Sequence, residues 1–148
     1  MSAGFGIGLA FPASVRERLL VVDDSDPVRE TYVSHFRQAG FEVESAATLK
    51  EAAEHLAGSV FDAVIVDVSL SSAVGSEGLA IVAYLRQMRR PPPVVVLTAY
   101  GEPHQAEAAS RLGVDVFLHK PVSLVWLERL LRSHLEGGAP EEAMATAS

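Results

Sequence analysis

Two hydrophobic periods alternate along the chain. Five short stretches are dense in apolar and β-branched residues: "RLLVVD" (18–23), "FEVESA" (41–46), "FDAVIVD" (61–67), "VVVLTA" (94–99) and "DVFLHK" (115–120). Each is followed by a stretch with helical spacing: "SDPVRETYVSHFRQAG", "TLKEAAEHLAG", "GLAIVAYLRQM", "EPHQAEAASRLG" and "PVSLVWLERLLRSHLE". The first kind predicts strands and the second helices. Local chemistry marks the helix ends. Asp26 suits an N-cap, Pro27 the first turn and Gly40 the position just past the helix. Thr48 and Glu51 stand at capping-box spacing, and Gly58 closes that helix. Val28, Tyr32, Phe36 (or His35) and Ala39 recur on one face of the first helix. In the last helix the predicted core stripe is Leu124, Leu127, Leu131 and Leu135, with Trp126 and Leu130 at its edge.

Strands that alternate with helices imply a parallel sheet covered on both faces. The runs 19–22, 63–66 and 94–97 are apolar at every position, as strands buried on both sides should be. The fold predicted is therefore α/β, a flavodoxin-like (βα)5 with a parallel five-stranded sheet in the order 2-1-3-4-5. That order sets strands 1 and 3 side by side and opens a ligand crevice beyond their carboxyl ends. Residues 18–136 form the predicted domain. Residues 1–17, with Phe5, Ile7, Leu9 and Phe11 alternating with small residues, read as a flexible extension, or more sharply as an added edge strand or a docking arm. Residues 137–148, "GGAPEEAMATAS", read as a disordered tail.

Composition narrows the function. The 148 residues are 49% apolar, enough to bury a core and too many for a wholly disordered chain. A formal charge of −7 disfavours direct nucleic-acid or anionic-membrane binding. The lack of cysteine removes disulfides, thiolate metal sites and thiol catalysis, and is compatible with a cytoplasmic location. No apolar run approaches the roughly 20 residues that span a bilayer. The N-terminus lacks the basic region of a signal peptide.

The chemistry lies at the strand ends. Strand 1 ends in Asp23 and Asp24, strand 3 in Asp67, strand 4 in Thr98 and strand 5 in Lys120. In the predicted strand order these five residues converge on one rim. Paired acids at the edge of a core repel each other by roughly 4 kcal/mol at about 4 Å and an effective dielectric of 20, so a cation is expected between them. Oxygen ligands without nearby histidine or cysteine favour Mg²⁺. The five histidines show no ligand spacing.

"LLVVDD", "AVIVD", "VVLTA" and "FLHKP", in this order and at these separations, resemble the signatures of the response-regulator receiver domain of two-component signalling. The resemblance spans about residues 17 to 136. It implies that Asp67 accepts a phosphoryl group from a histidine kinase or phosphotransfer protein. Asp24, Asp67 and the backbone carbonyl of Ser69 would hold Mg²⁺, with Asp23 acting largely through water. Thr98 would donate to the phosphoryl oxygens and Lys120 would pair with them. The Lys120–Pro121 bond would be cis. The implied switch draws Thr98 inward, lets Phe117 fill the vacated space, and alters the face of the fourth helix, fifth strand and fifth helix toward a downstream protein or a homodimer partner. Such a domain is not an enzyme beyond Mg²⁺-dependent self-phosphorylation and autodephosphorylation.

Three residues depart from the family pattern: Ser71 stands where proline is common, Gly78 comes late, and Tyr100 puts bulk two residues after Thr98. Two other functions compete. One is a receiver-like interaction module that is not phosphorylated. The other is a haloacid-dehalogenase-type phosphatase, suggested by "DSDPV" (24–28). The short chain, the lack of a cap and the lack of a later acid pair count against the phosphatase.

Overall fold

A computed structural model describes residues 16–68, 80–98 and 113–136. The two tails, Ser69, Ser71, Gly78, Tyr100 and the helix predicted from "EPHQAEAASRLG" lie outside the described residues. The elements in chain order are β1 (Arg18–Val22), α1 (Asp26–Gln38), β2 (Glu42–Ala46), α2 (Leu49–Gly58) and β3 (Ala63–Val68). There follow α3 (80–86), β4 (Val94–Thr98), β5 (Val116–His119) and a last helix, Leu124–Leu135.

The strands form one parallel sheet in the order β2-β1-β3-β4-β5, as the alternation predicts. Strict alternation of side chains sorts its residues between two cores. Leu19, Val21, Ile65, Val95, Leu97 and Leu118 face α1 and the last helix, where Tyr32, Phe36, Leu127 and Leu131 meet them. Leu20, Val22, Val64, Val66, Val94 and Val96 face α2 and α3, against Leu56, Ile81, Val82 and Leu85. Both cores are closed, which is why these strands carry no polar alternation. Phe36 is fully buried and meets Phe41 edge to face, with ring centres 5.6 Å apart.

The helix ends largely follow local chemistry. Gly40 takes φ +103° just past α1, a left-handed conformation that a Cβ disfavours. The Thr48 hydroxyl accepts from the Glu51 amide at 3.1 Å, and the Glu51 carboxylate accepts from the Ala47 amide at 2.7 Å. Two predictions need correction. Ser25, not Asp26, is the N-cap of α1, and its side chain makes no capping bond. Asp23 Oδ1 accepts from the Ser25 amide at 2.9 Å, a local Asx-type turn that starts the helix at Asp26. Asp26 instead pairs with Arg29 at 2.5 Å. In the last helix, Leu130 is buried together with Leu127 and Leu131, not at the edge. The helix packs against α1 as well as the sheet, so it buries a wider arc than a single stripe.

Candidate functional site

Parallel pairing brings the carboxyl ends of β1, β3, β4 and β5 to one rim. Val22 registers with Val66, Asp67 with Leu97, Val68 with Thr98, and Thr98 with His119. Residues at or just beyond these positions therefore share the crevice.

Asp67 is buried there, 6% exposed. Lys120 Nζ stands 2.5 Å from Asp67 Oδ2, with a quarter of the lysine side chain open to solvent. The Lys120–Pro121 bond is cis. The Lys120 amide donates to the Thr98 carbonyl at 2.7 Å, which ties the end of β5 to the end of β4. Thr98 is fully buried. Phe117, in register with Val96, shares the sheet face of Thr98 and is partly buried. Its ring meets His119 edge on at 5.6 Å.

Asp23 is the other buried acid, 4% exposed. Its amide donates to the Ala46 carbonyl at 3.0 Å, and its own carbonyl accepts from Arg29 at 2.8 Å. Oδ1 is held by the Ser25 amide, whereas Oδ2 is buried without a hydrogen-bond donor among the described residues. Burial pushes the Asp23 carboxyl up to about 7. The Ser25 amide opposes that rise, the facing Asp67 charge adds to it, and the Lys120 ammonium works against it. Burial also raises the Tyr32 hydroxyl, and the charges of Asp67 and then Asp23 raise it further, so the phenol sits within their field.

The structure thus brings Asp23, Asp67 and Lys120 together, with Thr98 at the neighbouring strand end. Asp24 is exposed. Among the described residues no three acidic or histidine side chains are gathered closely enough to hold a metal. Two buried acids whose Oδ2 atoms accept no hydrogen bond among the described residues, the one on Asp67 facing the Lys120 ammonium, are nonetheless the donor chemistry that a hard cation takes.

Sequence reasoning passed over Arg29 and gave Tyr32 no part beyond the core. Arg29 holds the backbone of Asp23 and the side chain of Asp26 at once. Its one sequence signal is a position three residues after Asp26, on the same helix face. Tyr32 reads as core, which it is, and its closeness to the acids has no local signal.

The sheet order and the acid–lysine pocket at its carboxyl edge define an open, flavodoxin-like α/β domain of the chemotaxis-receiver type. The chain belongs to the response regulator receiver domain family, whose pattern matches residues 19–132. It is 35% identical over 126 residues to the response regulator protein PilR of Pseudomonas aeruginosa, covering 85% of this chain and 28% of that protein. It spans from about a quarter to about half the length of the curated relatives it matches. A CheY-like receiver domain from Methanospirillum hungatei JF-1 superimposes with a TM-score of 0.75 at 23% identity, covering 83% of this chain and 96% of that one. A response regulator from Burkholderia pseudomallei, solved with a phosphorylated aspartic acid, a calcium ion and citrate, gives 0.71 at 26% identity, covering 87% and 74%. This family is a signalling family, and its members are components of two-component systems. Among the described residues no helix is long and apolar enough to cross a membrane.

Proposed function

We propose that this receiver takes a phosphoryl group onto Asp67 in a Mg²⁺-dependent reaction and changes partner through Thr98 and Phe117. One observation carries the reading: Asp67 is buried at a strand end, paired with Lys120 at 2.5 Å, and faces a second acid, Asp23, with an orphaned buried oxygen. The Asp67 carboxylate attacks phosphorus in a histidine kinase's or phosphotransfer protein's phosphohistidine. The P–O bond forms as the P–N bond breaks, and the imidazole nitrogen keeps the electron pair and takes up a proton. Lys120 then has a phosphoryl oxygen to pair with, and Thr98 a hydroxyl to offer it.

Asp24, Asp67 and the Ser69 carbonyl are the ligands proposed for Mg²⁺, with Asp23 acting through water. The metal, when bound, supplies positive charge that offsets repulsion between the anionic nucleophile and the anionic donor. Asp23 and Asp67 suit it because their oxygens are hard donors and neither Oδ2 accepts a hydrogen bond among the described residues. The phosphorylated aspartate and the calcium ion of the Burkholderia protein support the same assignment by analogy. The receiver unit is proposed to run from 18 to 136, in the cytoplasm, without direct nucleic-acid contact. Its output is a contact with a downstream protein, or a second copy, through the face that includes β5 and the last helix.

Incubation with a small acyl phosphodonor and Mg²⁺, followed by intact-mass measurement, tests the reading. The expected result is a gain of one phosphate that disappears with chelator and in Asp67→Asn. A chain that gains no phosphate under conditions where it binds Mg²⁺ would instead be an interaction module that works without phosphorylation.

A further inference from the structure

At the amino edge of the sheet, opposite the acid pocket, a cleft of about 530 Å³ lies between the end of α2 and the segment after α3. Leu56, Val60, Phe61 and Met88 supply apolar lining, and Arg89 and Arg90 line it as well. Val60 is 82% exposed, so its side chain is open to a partner. Both arginines are exposed, and neither forms an ion pair among the described residues. An apolar lining with two exposed cations that have no ion-pair partner among the described residues fits a segment that is both acidic and apolar.

The chain carries such a segment where it leaves the last helix. His134 Nε2 stands 4.0 Å from Asp115, and Asp115 accepts from the Val94 amide at 2.8 Å. Pro92, two residues before Val94, already lines the cleft. The end of the last helix is thus linked to the cleft across the amino edge of the sheet. Beyond Glu136 come Gly137, Gly138, Ala139 and Pro140, then Glu141, Glu142, Ala143 and Met144. Glu141 is five residues past Glu136, a reach of up to about 17 Å, and residues 137–148 together reach about 40 Å. We infer that residues 137–148 dock in this cleft, with Glu141 and Glu142 facing Arg89 and Arg90 and Met144 covering Val60. Tethering makes the contact intramolecular, so even a weak match is populated at the high effective concentration of a short linker.

The absence of native cysteine allows a direct test in the full chain. Val60→Cys with Met144→Cys places a thiol pair at the proposed contact. Lys50→Cys with Met144→Cys places one at the other end of α2. Under mild oxidation the first pair is expected to close an intramolecular disulfide about tenfold faster than the second. R89E/R90E should erase the difference, and adding E141R/E142R should restore it, which separates charge matching from loss of fold. Equal rates for the two pairs, predominantly intermolecular disulfides, or a rate indifferent to the charge swaps would overturn the inference.

Discussion

Replacing Asp23 with Asn isolates what the metal-free pocket costs the fold. Asp23 is 4% exposed, and its carboxyl is raised from 3.8 to about 7, chiefly by burial. Between those values the folded chain holds a proton that the unfolded chain has released, so this residue's contribution to stability falls as pH rises through that window. At pH 5 the accumulated loss is about 2 kcal/mol, and above pH 7 it levels off at about 4 kcal/mol. Asn carries no charge at either pH. Its Oδ1 can still accept from the Ser25 amide, and its amide can donate toward Asp67 where the orphaned Oδ2 stood. The variant should therefore be more stable than the parent in chelator, by about 2 kcal/mol at pH 5 and about 4 at pH 8. Urea unfolding followed through Trp126, the sole tryptophan, gives the difference directly. The midpoint should rise by roughly 2 M urea at pH 8 and about half that at pH 5. Groups that titrate identically in both proteins cancel. A gain of equal size at both pH values, or a loss at pH 8, would refute the account of Asp23 as a buried, raised carboxyl. If Asp23 lies beside a bound divalent ion, saturating Mg²⁺ should narrow the gap by stabilising the parent more than the variant.

Other consequences can be checked by urea or thermal unfolding. Lys120→Met leaves Asp67 without its cation and should lower metal-free stability at pH 8 by about 1–2 kcal/mol, discounted for the ammonium's partial exposure; an unchanged midpoint would mean the pair is neutral. Phe36→Ala should cost about 3–5 kcal/mol, because the ring is fully buried against Phe41, and thermal melting by circular dichroism would show it. Thr48→Ala should cost about 1 kcal/mol and Thr48→Ser much less, since only the hydroxyl caps the Glu51 amide; equal losses in the two would point to the methyl group instead.

Much of this was legible in the sequence because it rests on local rules. Unbroken apolar runs mark strands buried on both faces, and the structure sorts alternate residues of each run into the two cores. Thr48, Glu51 and Gly40 do what their neighbours in sequence predict. Where those rules failed, a longer contact overrode them. The Asx-type turn at Asp23 moved the cap of α1 to Ser25, and packing against α1 as well as the sheet brought Leu130 inside.

Hydrophobic period, turn chemistry and element order were enough to determine the strands, the parallel sheet and the rim on which the polar residues end. They did not determine what those residues do to one another there. Asp23 and Asp24 are the same side chain in adjacent positions, yet only Asp23 is buried beside Asp67 while Asp24 meets solvent. The contact of Lys120 with Asp67 joins residues far apart in the chain, as does the placing of Tyr32 within the field of the two acids. Local periodicity carries no information about such pairs. Their energies come from burial and charge proximity, which exist only once the strands have been set side by side.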